Sequence, residues 1–159
     1  MRKIVSNTTP ILNLLKIGKL DFLRELYDKV YIPQAVYREI ETGKDRIYYT
    51  DLGKLGWIEI VPIKSAPARI YLFDLDDGEA ETIILAHELT ADLAIIDEKL
   101  GRRYAALLNI PVTGTIGILL KAKERGLITA LAPLLQELRN KSTWINDSLY
   151  EKTITLADE

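Results

Sequence analysis

The chain has no cysteine and a single histidine, His87, in 159 residues. Disulfides, thiolate catalysis and cysteine-ligated zinc are excluded, and so is any site that needs two imidazoles. A bound metal would have to use oxygen ligands, which favours Mg²⁺ or Mn²⁺ over zinc. Charge of one sign is also missing. Lys and Arg number 21 against 23 Asp and Glu, for a net charge of −2, so no global basic field advertises nucleic acid and only a local patch can serve one. No apolar run approaches the ~20 residues that cross a bilayer. The charged start Met1-Arg2-Lys3 lacks the long apolar middle of a signal peptide, because Asn7 to Pro10 interrupt it. These absences predict a cytoplasmic protein with no membrane contact. Repeats, low-complexity tracts and dividing linkers are lacking too, so residues 1–159 read as one domain. With 48% apolar and 28% charged residues, it is long enough to bury a real core.

The stretch the chain is organised around is residues 75–98. Leu75-Asp76-Asp77-Gly78-Glu79-Ala80-Glu81 opens a helix whose body repeats apolar residues at Ala80, Ile83 and Ile84 with His87 in step, the pattern of one buried face. Leu93-Ala94-Ile95-Ile96 suits a strand covered on both sides, and it ends in Asp97-Glu98. Acids thus gather at the head of a helix and at the tip of the next strand. In an open parallel sheet the ligand cleft lies beyond the carboxyl ends of the strands.

Elsewhere, Lys3 to Ser6 reads as a first strand, and Asn7-Thr8-Thr9-Pro10 as a helix start with Thr9 at the N-cap and Pro10 first in the helix. That helix ends at Gly18, and another spans 20–26. Strands follow at 30–32 and 57–61, with a helix from Pro33 to Gly43 between them. Residues 44–56 are predicted weakly helical, 62–67 a loop, and 69–73 either extended or helical. Beyond residue 98 come a helix over 100–108, a strand over 110–113 that Pro111 places at an edge, and helices over 115–125, 131–138 and 144–157. Strands alternating with helices predict an α/β fold, a three-layer α/β/α arrangement with a central parallel sheet of about five strands.

On this scheme Asn7 follows strand one, Glu39 lies on the helix after strand two, Glu79 and Glu81 begin the helix before strand four, and Asp97 ends strand four. If strands one and four are neighbours, Asn7 and Asp97 share a cleft. Several carboxylates cannot stay ionised together without a counter-charge, and a hard divalent cation supplies one. Each residue also has a plainer role. Asn7 to Pro10 can be a helix-start turn, Glu39 an exposed helix glutamate, the acids at 76–81 partners of the helix dipole, and Asp97-Glu98 a cap for the next helix. His87, Trp57 and Trp144 read as structural, core or interface residues. Lys99, Arg102 and Arg103 read as a solvated face or as phosphate contacts.

Three stretches resemble PIN-domain proteins, of the kind related to the toxin ribonucleases of toxin–antitoxin pairs. They are Ile4 to Leu12 (IVSNTTPIL), Ile32 to Ile40 (IPQAVYREI), and Asp77 to Ile83 running on to Ile95-Ile96-Asp97-Glu98. Val112 to Leu119 fits the same subgroup. The resemblance implies metal-dependent hydrolysis of RNA that leaves a 5′-phosphate. It also implies Mg²⁺ or Mn²⁺ as cofactor, a homodimer, and a small antitoxin partner. Its acidic positions fall on Asn7, Glu39, Glu79 or Glu81, and Asp97, and Thr113 or Thr115 can complete the set. Asn7 stands where the family usually has aspartate. An amide oxygen can bind Mg²⁺ but brings no charge, so the likeness implies weaker metal binding and reduced or lost catalysis, with Asp77 and Glu98 near enough to compensate.

Two function classes follow on this scaffold: a ribonuclease, or a binding protein for RNA or a partner whose metal site has weakened. A remote third is an aspartyl-phosphate phosphatase, since Phe73-Asp74-Leu75-Asp76-Asp77-Gly78 resembles that family's Asp-x-Asp motif; it would make Asp74 essential in place of Asp97.

Overall fold

The computed structural model describes residues 2–141 and 143–159. Its five strands are β1 (Ile4–Ser6), β2 (Val30–Pro33), β3 (Ile58–Val61), β4 (Leu93–Ile95) and β5 (Val112–Thr113). They form one sheet in the order β3-β2-β1-β4-β5, and every pairing is parallel. The chain builds outward from β1 through β2 to β3, then crosses back to lay β4 on the other side of β1. That reversal puts a topological switch point between the carboxyl ends of β1 and β4, where an open sheet leaves a crevice.

Strand periodicity explains the layers. Ile4, Val30, Ile32 and Ile95 point into one apolar cluster with Ile11, Leu14, Leu23, Ile118 and Leu135. Their neighbours Val5, Tyr31, Ala94 and Ile96 point into a second cluster with Ala80, Ile83 and Ala105. Successive residues of a strand face opposite sides, so a sheet that is apolar on both faces needs helices on both. The first face takes α1 (Thr8–Lys16), α2 (Asp21–Tyr27), α6 (Thr115–Glu124) and α7 (Ala132–Asn140); the second takes α4 (Asp77–Glu88) and α5 (Lys99–Leu107). Helix α3 (Gln34–Thr42) packs beside both α1 and α4, and α8 (Asp147–Leu156) closes the chain. This is the three-layer α/β/α architecture read from the sequence, and no described helix is long and apolar enough to cross a membrane.

Several local expectations are corrected. Helix α1 begins at Thr8 with Asn7, not Thr9, at the N-cap. The Asn7 N–H still donates to Ile95 O at 3.0 Å, so ladder and helix meet at one residue with no turn between them. Pro33 ends β2 and also stands as the N-cap of α3, whose first helical residue is Gln34. Residues 44–56 are turns and a single 3₁₀ turn at Leu52–Lys54. Asp51 accepts the Gly53 N–H at 3.0 Å there, and Gly53 and Gly56 weaken any longer helix. The ambiguous stretch near 69–73 resolves as a 3₁₀ segment, Ala66–Leu72. The last helix starts at Asp147 because Asn146 caps it, accepting from Leu149 N at 2.6 Å. His87 lies exposed in the last turn of α4 instead of on its buried face. Pro111 does precede an edge strand, and its carbonyl accepts from Ala94 N at 2.9 Å.

Candidate active site at the carboxyl edge of the sheet

The edge is assembled around Asn7, which is 2% exposed. Its Nδ2 donates to Glu98 Oε2 at 3.2 Å, and Thr9 Oγ1 donates to the other oxygen of the same carboxylate. The Thr82 hydroxyl lies 3.5 Å from Asn7 Oδ1 while donating to the Gly78 carbonyl at 2.7 Å. Asn7 and the end of β4 do meet, as strand adjacency requires, but Asn7 contacts Glu98 and not Asp97.

Glu39 reaches the edge from α3. Thr8 Oγ1 donates to its Oε2, and the Gly78 N–H donates to Oε1 at 3.0 Å. A Cβ on residue 78 would sit 2.5 Å from Glu39 Oε1, so any other residue there would push the carboxylate out of its present place. Burial pushes the Glu39 carboxyl upward, Thr8 and Gly78 oppose that shift, and the charges of Asp76 and Asp77 add to it.

Asp97 is fully engaged. Thr115 N donates to Oδ1 at 2.7 Å, Thr115 Oγ1 to Oδ2 at 2.7 Å, and Asn13 Nδ2 to Oδ2 at 3.1 Å. A carboxylate on the first amide of α6 also meets the positive end of that helix. Gly114 leaves the room: a Cβ there would lie 2.5 Å from Asp97 Oδ1. Arg102 donates to the Ile96 carbonyl at 2.8 Å, fixing the strand end from α5.

Glu79 and Glu81 part company. They are two positions apart on α4, and such positions do not share a helix face. Glu81 turns to the start of α3, accepting from Ala35 N at 3.1 Å and pairing with Arg38 at 3.7 Å. Glu79 turns to the acid edge. Its carboxyl is pushed up to about 7, first by burial, then by Asp76 and the charge of Glu98. Asp76 itself caps α4, accepting from Glu79 N at 2.8 Å. Asp74 accepts from Tyr104 OH at 2.8 Å in a turn that follows a 3₁₀ segment, so no strand delivers it as the phosphatase motif requires.

Among the described residues, no group of three or more His, Asp or Glu side chains is arranged to hold a metal ion. The donor chemistry still fits a hard cation, since every candidate ligand is an oxygen. Mg²⁺ typically takes one or two carboxylates and completes its shell with water and substrate phosphate. Glu79 and Glu98 are such a pair, with Glu79 close enough for the Glu98 charge to add to the effect of burial on its carboxyl.

Sequence reasoning missed Thr8, Thr9, Asn13 and Thr82. A signal was available: Thr9, Asn13 and Lys16 recur at helical spacing and form one polar stripe along an otherwise apolar α1. Thr115 is the partner of Asp97, whereas Thr113 lines the cavity beside it.

A parallel α/β sheet with acids gathered at its switch point is the framework of a nuclease-type fold. The PIN-domain family model matches residues 3–159, and the chain belongs to that family. None of the curated proteins compared with the chain matches it.

Proposed function

We propose that the protein is a metal-dependent ribonuclease of the PIN type that hydrolyses RNA phosphodiesters and leaves a 5′-phosphate. The observation that carries this reading is the gathering of oxygen side chains at the switch point, where Asn7 and Thr9 hold Glu98 and Glu79 lies near enough for the Glu98 charge to help raise its carboxyl. In this reading Glu79, not Glu81, is the α4 contributor, and the two carboxylates would hold Mg²⁺ or Mn²⁺. When bound, such an ion lowers the pKa of water and polarises a phosphoryl oxygen.

The chain's own residues supply position. Asn7 and Thr9 fix both oxygens of Glu98. Thr8 and the Gly78 N–H fix Glu39 at the rim. Asp97 orients the Gly114-Thr115 backbone that walls the cleft. The likeness to toxin ribonucleases supports a toxin-like role, a small antitoxin partner and a homodimeric assembly.

A single-stranded RNA incubated with the pure protein tests the proposal. Cleavage in Mn²⁺ or Mg²⁺, its loss in EDTA, and its loss in E98Q are expected. Cleavage that persists in both EDTA and E98Q overturns it.

One observation favours a second reading, a PIN-fold binding protein without hydrolysis: Asn7 brings an amide in place of a charge, and both Asp97 oxygens are committed to hydrogen bonds. An intact RNA in Mn²⁺ that becomes cleavable in N7D would select it.

A further inference from the structure

A cavity of about 660 Å³ opens beside the acid edge, within the ~300–1,000 Å³ of small-ligand sites. Asp97, Glu98, Lys16, Arg102, Trp144 and Leu149 are among the residues that line it. Trp144 is 81% exposed, which corrects its reading as a core residue. An exposed indole leaves a large apolar ring in water.

The backbone around Trp144 is held on both sides. Thr143 N donates to Leu138 O at 3.0 Å, and Thr143 Oγ1 donates to Asn13 Oδ1 at 3.0 Å. Ile145 is buried, and its carbonyl accepts from Arg139 Nε at 3.0 Å. Arg139 in turn pairs with Asp147 at 2.9 Å and lies over the Tyr150 ring at 4.5 Å. The indole is therefore presented by a fixed support. Asn13 joins that support to the acid edge, because its amide donates to Asp97 while its oxygen receives Thr143.

Charge complementarity identifies the occupant. Among the described residues neither Lys16 nor Arg102 is paired with a carboxylate. Lys16 Nζ lies 3.5 Å from Thr143 Oγ1, and Arg102 is steadied on the Ile96 carbonyl. Two steadied cations that share one cavity with an exposed aromatic ring are what an unpaired strand needs, one base on the ring and its phosphates on the cations. An apolar peptide would have no use for the cations, and a duplex would not offer an unstacked base.

We propose that Trp144, Lys16 and Arg102 form a subsite for single-stranded RNA. It stacks one unpaired base on the indole and seats the adjoining phosphates on the two cations, so that the strand runs toward Asp97 and Glu98. This rests on reading the carboxylate edge as an RNA-handling site, not on cleavage there.

The test is fluorescence anisotropy of a short, unstructured, end-labelled RNA in EDTA, which keeps the strand intact. W144A is expected to raise Kd about tenfold or more, W144F to keep most of the affinity, and K16M to reduce the salt slope by about 0.7. The thermal melt of W144A should match the parent, because the ring is exposed. Unchanged RNA affinity in W144A overturns the proposal, and so does a parent that does not bind the RNA. A change in solution mass on W144A with RNA affinity intact also overturns it, marking the indole as a protein contact. Tryptophan-dependent binding without cleavage in Mn²⁺ leaves the subsite standing and removes the nuclease. Cleavage with tryptophan-independent binding does the reverse.

Discussion

Two carboxylates at helix starts, Glu79 and Glu159, have opposite surroundings. Glu159 accepts from Leu131 N at 2.7 Å and Ala132 N at 3.0 Å at the head of α7, and pairs with Lys123 at 2.9 Å. Those amides, then the ammonium, hold its carboxyl below the usual range. Glu79 sits in the first turn of α4 but meets Asp76 and Glu98 with no cation, and its carboxyl rises. A carboxylate built for stability is given donors and a counter-charge by the chain. One whose charge the chain leaves uncompensated is available to something the chain does not contain.

The comparison breaks most visibly in activity. E98Q should lower RNA cleavage about 100-fold or more, whereas E159Q should leave it unchanged; equal losses in a turnover assay would erase the contrast. N7D should sharpen it by adding a third charge to the acid edge. Mn²⁺ binding measured by calorimetry should tighten about tenfold, since ligand charge sets affinity at oxygen sites, while the melting temperature in EDTA falls. E159Q should lower Tm by about 2–4 °C, the worth of one lost cap in a chain this size, and calorimetric scans would read it.

The smallest effect is in the pH dependence of stability, and its sign differs between the two residues. Glu79 takes up its proton more readily folded than unfolded, so stability rises as pH falls from about 7 toward its ordinary value of 4.5. Glu159 releases its proton more readily when folded, so its contribution is present above 4.5 and is lost as pH falls through its lowered value. Urea midpoints across this range should flatten above pH 4.5 in E79Q and below it in E159Q. Saturating Mn²⁺ should flatten the Glu79 limb in the parent, because ion and proton compete for one carboxylate.

The sheet was legible because its strands are short apolar runs between strong helix patterns, and because Ile4, Val5, Ala94 and Ile95 need cover on both faces. The sequence marks Glu98 only as a neighbour able to compensate for Asn7, whereas the approach of Asn7, Glu39, the acids at the head of α4 and Asp97 to one sheet edge was legible from their places at element ends. The choice between Glu79 and Glu81 was not, because helix phase separates them but does not say which side α3 occupies. Residues 44–56 were misread since charge and tyrosine content do not reveal that Asp51, Gly53 and Gly56 favour turns. For Trp144 the sequence leaves core and interface open, and the exposed ring, with Thr143 and Ile145 bonded on either side of it, removes the core reading.

Helix α1 carries a consequence of its own. Its first two turns supply Thr8 to Glu39, Thr9 to Glu98 and Asn13 to Asp97, while Ile11 and Leu14 anchor its other side in the core. Three acids from two places in the chain, Glu39 on α3 and Asp97-Glu98 between β4 and α5, hang from one helix. The register of that one helix therefore sets the placement of all three carboxylates, and a substitution that shifts it is felt at each of them.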